Sequence, residues 1–262
     1  MTAMSWMAAL DYRQGTAHRA AGIPCQDFGR LVQLDEDTII AALADGAGSA
    51  RFSHYGARAA VDCALPWLKD RLSNNRGSRG RLTTLSVEAL FDGLVQTIQK
   101  ELNRIAHEDR HTPRDYACTL TLIALSPNEI HAAQIGDGLV VARQREGDYT
   151  LLIAPDHGEY VNETSFITDP DAQDHLHLSS LSAPIRFVGA ATDGLAGVSV
   201  DNRQNSPHAP FFAPMETFAR QSTSAGDVHN GIRDFLASQR LAEKSTDDLS
   251  LMLCGWQGYG SA

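Results

Sequence analysis

Residues 37–48 read Asp-Thr-Ile-Ile-Ala-Ala-Leu-Ala-Asp-Gly-Ala-Gly and carry the strongest structural signal in the chain. The apolar, partly β-branched run up to Ala44 is typical of a buried strand, and Asp45-Gly46 is typical of the turn that ends one. A carboxylate at the end of a buried strand is costly unless a cation compensates its charge. Asp45 is therefore a candidate ligand of a metal ion.

Three more aspartates lie where an apolar run begins or ends. Asp137 lies in Gln-Ile-Gly-Asp-Gly, Asp193 in Ala-Thr-Asp-Gly-Leu, and Asp247 in an Asp-Asp pair before Leu-Ser-Leu-Met-Leu. Each Asp-Gly pair alone is more often only a turn. Together, several strand ends that converge would make a pocket of oxygen ligands, which hard divalent cations prefer. The joint pattern therefore predicts a metal-dependent site.

Strand and helix signals alternate between these aspartates. Small and apolar residues recur at helical spacing from Phe52 to Trp67, and Pro66 is expected to kink or shorten that helix. The other expected elements are a long amphipathic helix from about Ser86 to about His107, an antiparallel meander of strands at Tyr116–Leu125, Glu129–Ile135, Leu139–Gln144 and Tyr149–Ala154, a strand at Arg186–Thr192, a helix at Asp227–Ser238 and a strand at Leu249–Cys254.

Runs of strands interrupted by paired helices favour a layered α+β sandwich over a doubly wound parallel sheet. One domain over residues 1–262 is expected, with a surface loop near residues 73–83. The polar segment 156–182, which includes His157, is expected to form a flap-like insertion beside the site, and residues 207–214 a proline-marked loop.

Composition excludes several classes of function. The formal charge is −10 and the pI is near 5.4, which argues against binding to nucleic acid or to an anionic membrane. The four cysteines are scattered without a Cys-x-x-Cys pair, so neither a zinc knuckle nor a disulfide framework is expected. The sequence shows no signal peptide and no membrane-spanning run, so a cytoplasmic protein is expected.

In their order along the chain, these motifs resemble those of the type 2C, metal-dependent protein serine/threonine phosphatases. Five segments carry the likeness: Leu43–Gly48 resembles the first metal-binding Asp-Gly, Ala117–Thr121 the threonine-rich strand, Gly136–Gly138 the Gly-Asp-Ser element, Thr192–Gly194 the Thr-Asp-Gly motif, and Asp247-Asp248 the Asp-Asn motif. The segment from Gly15 to Asp27, with Gln26-Asp27, is similar to a bacterial branch of that family.

The resemblance implies an α+β fold with a central β-sandwich of two antiparallel sheets flanked by pairs of helices. It implies hydrolysis of phosphoserine and phosphothreonine in proteins, in opposition to a Ser/Thr kinase, by direct attack of a metal-bridging water. The expected cofactors are two Mn²⁺ or Mg²⁺ ions, which can activate such a water and stabilise charge at phosphorus.

The resemblance also implies a role for each site residue. Asp45 would bridge the two ions, the Gly46 carbonyl would bind one of them, and Asp193 and Asp247 would complete one shell; Asp45, Asp193 and Asp247 are thus the expected catalytic residues. Asp27 would hold metal-bound water. Asp137 and Asp193 could hold a weaker third ion.

The sequence departs from the family pattern at several positions. Ala47 replaces a histidine that serves some members as a proposed general acid, and Gln26 replaces a glutamate. Either Arg19 or His18 could contact a phosphate oxygen in place of the family's arginine, although Arg19 could equally be a solvated surface residue. These departures leave two alternatives open: a catalytically weak relative that acts as a phosphoprotein-binding or regulatory module, and a hydrolase of small phosphoesters.

Overall fold

The computed structural model describes residues 5–77, 81–155, 164–201 and 204–258, and these ranges contain twelve strands and eight α-helices. The strands are β1 (Trp6–Arg13), β2 (Phe28–Gln33), β3 (Ile39–Ala44), β4 (Leu120–Ser126), β5 (Glu129–Ile135), β6 (Leu139–Gln144), β7 (Tyr149–Ile153), β8 (His177–Ser182), β9 (Ile185–Ala191), β10 (Val200–Asp201), β11 (Ser206–Pro207) and β12 (Leu249–Trp256). The helices are α1 (Thr16–Ala21), α2 (Ser53–Asn74), α3 (Val87–Phe91), α4 (Leu94–Asp109), α5 (Ala196–Ser199), α6 (Ala209–Gln221), α7 (Ala225–Leu236) and α8 (Gln239–Ala242).

Two five-stranded sheets form the centre of the fold. One has the strand order β1-β12-β9-β6-β7 and the other the order β2-β3-β4-β5-β8, while β10 and β11 form a separate short pair. All neighbouring strands in both sheets are antiparallel. The predicted α+β fold with two antiparallel sheets is confirmed.

Three apolar layers hold the sheets and helices together. On β3, Ile39, Ala41 and Leu43 pack between the two sheets, while Ile40, Ala42 and Ala44 pack toward α2 and α4. Successive side chains of a strand point to opposite faces, so a strand covered on both faces reads as an unbroken apolar run. Helices α6 and α7 cover the outer face of the other sheet.

The helices on the β3 side differ from the prediction in their bounds. Pro66 lies inside α2 and does not shorten it, because the helix continues to Asn74. The loop predicted near residues 73–83 therefore starts in helix. It also ends in buried structure, since Leu82 is buried and its N–H donates to the Glu129 carboxylate at 2.7 Å.

The prediction of a single helix from Ser86 to His107 is wrong, because this segment forms two helices, α3 and α4. Asp92 is extended and Gly93 has φ 82°, in the left-handed region that favours glycine. The apolar residues on either side keep helical spacing. The periodicity therefore continues across the break and does not reveal it.

The predicted meander is also wrong, because its four strands are divided between the two sheets. β4 pairs with β5 in one sheet, and β6 pairs with β7 in the other. The chain changes sheet in the turn between β5 and β6, where Gly136 has φ 109°. This turn also carries Asp137 to the end of the sandwich.

The region predicted as a flap is only partly loop. Ile167 and Ala172 are buried in the layer beneath α4, and residues 177–182 form strand β8, which pairs with β5. Residues 156–163, including His157, lie outside the described ranges. The proline-marked loop at residues 207–214 is mostly the start of α6, since proline is tolerated in the first turn of a helix.

Among the helices of the described ranges, none has the length and apolar character needed to cross a bilayer.

Candidate metal centre

The residues that follow β3 are held by the segment that leads into β4. The N–H of Asp45 donates to Oγ1 of Thr119 at 2.9 Å, and the Asp45 carbonyl accepts from the N–H of Thr119 at 2.8 Å. The N–H of Gly46 donates to the carbonyl of Gln26 at 3.1 Å. These bonds fix the backbone of Asp45 and Gly46 from both sides.

Asp27, the residue just before β2, is 3% exposed and lies beside Asp45. Its Oδ2 accepts hydrogen bonds from the hydroxyls of Thr192 at 2.7 Å and Ser250 at 2.8 Å. Its Oδ1 is buried and accepts no hydrogen bond from an N–H or hydroxyl donor among the residues that the structure describes, and the carboxyl group of Asp45 lies within hydrogen-bonding reach of Asp27. A buried carboxylate oxygen without a donor is costly. Asp27 therefore has an open position for a cation or a water.

Burial, together with neighbouring charges, raises the pKa values of the buried carboxylates of the site. Burial, followed by the charges of Asp27 and Asp193, raises the pKa of Asp45 well above its ordinary value. Burial, followed by the charges of Asp137 and Asp247, raises the pKa of Asp193 to about 7. Five aspartates thus interact electrostatically at this end of the sandwich. Like charges close to one another repel unless a cation lies between them.

Asp137 and Asp247 lie at the margin of this group. Oδ2 of Asp137 accepts from the Thr164 hydroxyl at 2.8 Å. Asp247 is exposed, and its Oδ1 accepts from the N–H of Asp248 at 2.8 Å. The structure therefore brings all five sequence-predicted aspartates to one region.

The chemistry of this group fits partly hydrated Mg²⁺ or Mn²⁺. Within the described ranges, no three Asp, Glu, His or Cys side chains form a ready-made cage around one point. Mg²⁺ ordinarily keeps several waters and needs only one or two carboxylates. Asp45 with the Gly46 carbonyl, Asp193 and Asp247 could supply those oxygens, and the unsatisfied oxygen of Asp27 could accept from a water on the ion.

Gln26, which replaces the family's glutamate, has a structural contact. Its side-chain Nε2 donates to the hydroxyl of Ser53 at 2.8 Å, and both residues are buried. The carboxamide therefore ties the approach to β2 to the first turn of α2. Its neutral side chain also leaves the site with one negative charge fewer than a glutamate would give.

The two residues predicted to contact phosphate lie in different surroundings. Nδ1 of His18 lies 2.9 Å from Oδ2 of Asp248, whose side chain is 1% exposed. Arg19 is exposed, and its guanidinium donates to the Gln14 carbonyl at 3.3 Å. Of these two residues, it is His18 that contacts an aspartate next to the predicted metal ligands, namely Asp248, which follows Asp247.

Sequence reasoning missed the hydroxyls of Thr192 and Ser250 and the role of Asp248. Thr192 stands in the Thr-Asp-Gly motif, and Ser250 is a polar residue in an otherwise apolar strand. A polar residue in a fully buried strand requires a partner. That signal could have indicated a polar contact, although not its partner Asp27.

Comparisons with known proteins agree with one another. A sequence profile described as protein phosphatase 2C matches residues 14–237. The chain is 32% identical over 259 residues to serine/threonine-protein phosphatase 3 of Escherichia coli (strain K12), covering 97% of this chain and 99% of that protein.

Solved structures share the fold. A bacterial serine phosphatase has a TM-score of 0.66 at 15% identity, covering 97% of this chain and 99% of that one. The catalytic domain of the serine threonine protein phosphatase PstP, in complex with two manganese ions, has a TM-score of 0.61 at 16% identity with the same coverage.

Proposed function

Because the chain belongs to the protein phosphatase 2C family, we propose that its carboxylate pocket hydrolyses phosphoserine and phosphothreonine in proteins. The likeness to a serine/threonine-protein phosphatase along nearly the whole chain supports this substrate class. A Ser/Thr kinase that supplies the substrate, and a cytoplasmic location, stay predictions.

The observation that carries the proposal is the convergence of Asp27, Asp45 and Asp193. Their pKa values are all raised, with burial as the largest cause in each case. Burying mutually repelling carboxylates destabilises a fold, so this arrangement favours the binding of a compensating cation. When bound, two Mn²⁺ or Mg²⁺ ions would supply an activated water and charge stabilisation at phosphorus.

The protein's own residues prepare the site for this chemistry. Thr119 fixes the backbone of Asp45 through two hydrogen bonds. Thr192 and Ser250 orient Asp27, so that its second oxygen is directed away from them. Asp45 would serve as a ligand of both ions, Asp193 and Asp247 would be ligands of one of them, and Asp137 with Asp193 would hold a third, weaker ion.

Hydrolysis assays on the wild type and on Asp45→Asn test this function. The substrates are p-nitrophenyl phosphate and a phosphothreonine peptide, each with Mn²⁺, with Mg²⁺ and with EDTA. The wild type is expected to release phosphate only with metal, and Asp45→Asn is expected to lose about 100-fold or more. Asp234→Asn, an exposed aspartate on α7, is the matched control and should retain full activity.

The opposite results have definite meanings. Full activity of a folded Asp45→Asn would refute the assigned metal site. A wild type that hydrolyses neither substrate with any metal would refute the phosphatase proposal and favour a phosphoprotein-binding module.

A further inference from the structure

An acid–imidazole pair lies next to the carboxylate pocket and includes none of the residues that we assign as metal ligands. Nδ1 of His18 lies 2.9 Å from Oδ2 of Asp248, in a close but poorly aligned contact. The Asp248 side chain is 1% exposed, whereas that of His18 is 19% exposed. The carboxylate is thus inside the protein, and the imidazole reaches the surface from it.

Asp248 is held rigidly by backbone donors. Its Oδ1 accepts from the N–H of Gly15 at 2.6 Å, and its Oδ2 accepts from the N–H of Gln26 at 2.5 Å. These bonds satisfy the buried charge and fix the direction of both oxygens. A carboxylate held in this way can orient an imidazole that contacts it.

The helix that carries His18 is clamped to the same segment. The N–H of Ala17 donates to the carbonyl of Thr246 at 3.0 Å. A Cβ at Gly15 would lie only 2.2 Å from the carbonyl carbon of Asp247, so only glycine permits this close approach. Helix α1 therefore cannot shift away from the Asp247-Asp248 backbone without breaking these contacts.

These contacts also place the pair at the edge of the pocket. Asp248 follows the predicted ligand Asp247, and it binds the N–H of the residue before Asp27. Burial is the largest cause of the raised pKa of Asp27, and the negative charge of Asp248 raises that pKa further. A phosphoester bound at the carboxylates would therefore lie near the exposed edge of His18.

From this geometry we propose that His18 is the general acid of the reaction and that Asp248 is the residue that positions it. The inference rests on the proposed phosphatase function. Nδ1 faces Asp248, so Nε2 is the ring nitrogen left to exchange a proton with substrate. Of the two residues that the sequence offered for phosphate contact, only histidine can release a proton near neutral pH, because arginine stays protonated.

The proton balance of the step is complete. A water oxygen forms a bond to phosphorus, and the ester P–O bond breaks. The leaving oxygen of serine or threonine takes the proton from Nε2 of His18 and departs as an alcohol. The attacking water releases a proton to solvent, from which the imidazole is protonated again.

The test uses the leaving group to separate proton donation from phosphate binding. An alkoxide is a poor leaving group without a proton, whereas p-nitrophenolate departs readily without one. His18→Asn keeps a donor that can face Asp248 but has no proton to transfer. We expect it to lose about 100-fold or more on a phosphothreonine peptide, in the usual range for a general acid, with little change on p-nitrophenyl phosphate.

Further readouts separate this role from a structural one. Free imidazole should restore peptide hydrolysis to His18→Ala, and Mn²⁺ should raise the Tm of His18→Asn as much as that of the wild type. Asp248→Asn should show the same selective loss to a smaller extent. His229→Asn is the matched control and should keep full activity. His229 lies on helix α7, which covers the outer face of its sheet, and its imidazole lies 3.6 Å from the carboxylate of Asp11 on β1.

Equal losses on both substrates with a raised KM would make His18 a phosphate ligand and overturn the inference. An unchanged peptide rate in His18→Asn would also overturn it. His18→Gln repeats the test if His18→Asn does not fold. Equal losses or an unchanged peptide rate can be observed only with an active wild type, so either result overturns this inference and leaves the proposed function intact. A wild type that is inactive on both substrates refutes the function and this inference together.

Discussion

At the scale of single residues, the site consists of carboxylates that are costly to bury and hydroxyls that hold them in place. Asp27 has two hydroxyl partners on one oxygen and none on the other among the described residues. Asp45 has its backbone fixed by Thr119. The hydroxyls therefore determine which oxygen atoms remain available for a cation.

Ser250→Ala should weaken the response to metal more than it weakens the fold. The change removes one of two donors to Asp27, which should reduce the apparent Mn²⁺ affinity about 10- to 100-fold. The free energy of unfolding should fall by only about 1 kcal/mol, as for one lost hydrogen bond. Mn²⁺ titration of the peptide hydrolysis rate measures the first effect, and urea denaturation measures the second.

Ser222→Ala is the control for this substitution. Its hydroxyl donates to the Phe218 carbonyl at 2.8 Å, remote from the pocket. Ser222→Ala should lower the free energy of unfolding about as much as Ser250→Ala does, and it should leave the Mn²⁺ affinity unchanged. Unchanged Mn²⁺ affinity in Ser250→Ala would show that the orientation of Asp27 does not matter for metal.

The metal-free protein should lose stability as the pH rises, and Asp193→Asn should reduce that loss. Burial, with the charges of Asp137 and Asp247, raises the pKa of Asp193 from 3.8 to about 7. A carboxyl with a raised pKa in the folded state favours folding below its ordinary pKa, and that contribution disappears as the pH rises through about 7. Asp193→Asn should therefore stabilise the metal-free protein by about 1–3 kcal/mol at pH 8.

Thermal unfolding in EDTA at pH 5 and pH 8 measures this effect. The Tm difference between the two pH values should be larger for the wild type than for Asp193→Asn. Mn²⁺ at pH 8 should raise the Tm of the wild type more than that of the variant. If the Tm of the wild type in EDTA were higher at pH 8 than at pH 5, the carboxylates would not repel one another, and the metal assignment depends on that repulsion.

At the scale of secondary-structure elements, helix α6 is fixed to its sheet by one buried acid. Glu216 is 2% exposed and accepts from Tyr149 Oη at 2.6 Å and from Arg143 at 2.9 Å. It also bonds to Arg186 on β9. These partners lie on three strands of one sheet, so Glu216 determines where α6 docks.

Glu216→Gln should destabilise the fold by about 1–3 kcal/mol, because it leaves the partly buried guanidinium groups of Arg143 and Arg186 without their charge partner. Burial alone would raise the pKa of Glu216, but hydrogen bonds from Tyr149, Arg186 and Arg143 outweigh it and lower that pKa. A lowered pKa contributes stability above the unfolded value and loses it as the pH falls. The difference between wild type and variant should therefore shrink below about pH 4.

Urea denaturation at pH 7 and pH 3.5 measures both parts of this prediction. Glu146→Gln, in the exposed turn between β6 and β7, is the control and should change stability little. A cost for Glu216→Gln that does not depend on pH would indicate lost packing and not a lost charge.

The elements that the sequence predicted best are the strands buried on both faces. β5 and β6 have the predicted bounds, Glu129–Ile135 and Leu139–Gln144. The edge strands β1 and β2 were missed, because each leaves several side chains partly exposed and their apolar patterns are weak. Helix α6 was missed because its prolines were interpreted as a loop, although a first-turn proline is compatible with a helix.

At the scale of the whole molecule, the site exists because separate strand ends meet at one end of the sandwich. Asp45 follows β3, Asp193 follows β9 and Asp247 precedes β12, so the two sheets together supply the carboxylates that we assign as ligands. The placement of aspartates at the ends of apolar runs along the chain was enough to predict this convergence. The contact of Asp248 with His18 could not be predicted, because it depends on how α1 docks against residues far away in sequence.

The central claim is that these converging carboxylates hold divalent cations for catalysis. Isothermal titration calorimetry of the EDTA-treated protein with Mn²⁺ tests it most directly, with Asp45→Asn and Asp234→Asn titrated alongside. The account predicts two bound ions for the wild type and Asp234→Asn, and loss of binding in Asp45→Asn, whose carboxylate is assigned to both ions. A wild type that binds no Mn²⁺, or an Asp45→Asn variant that binds it unchanged, would contradict the account.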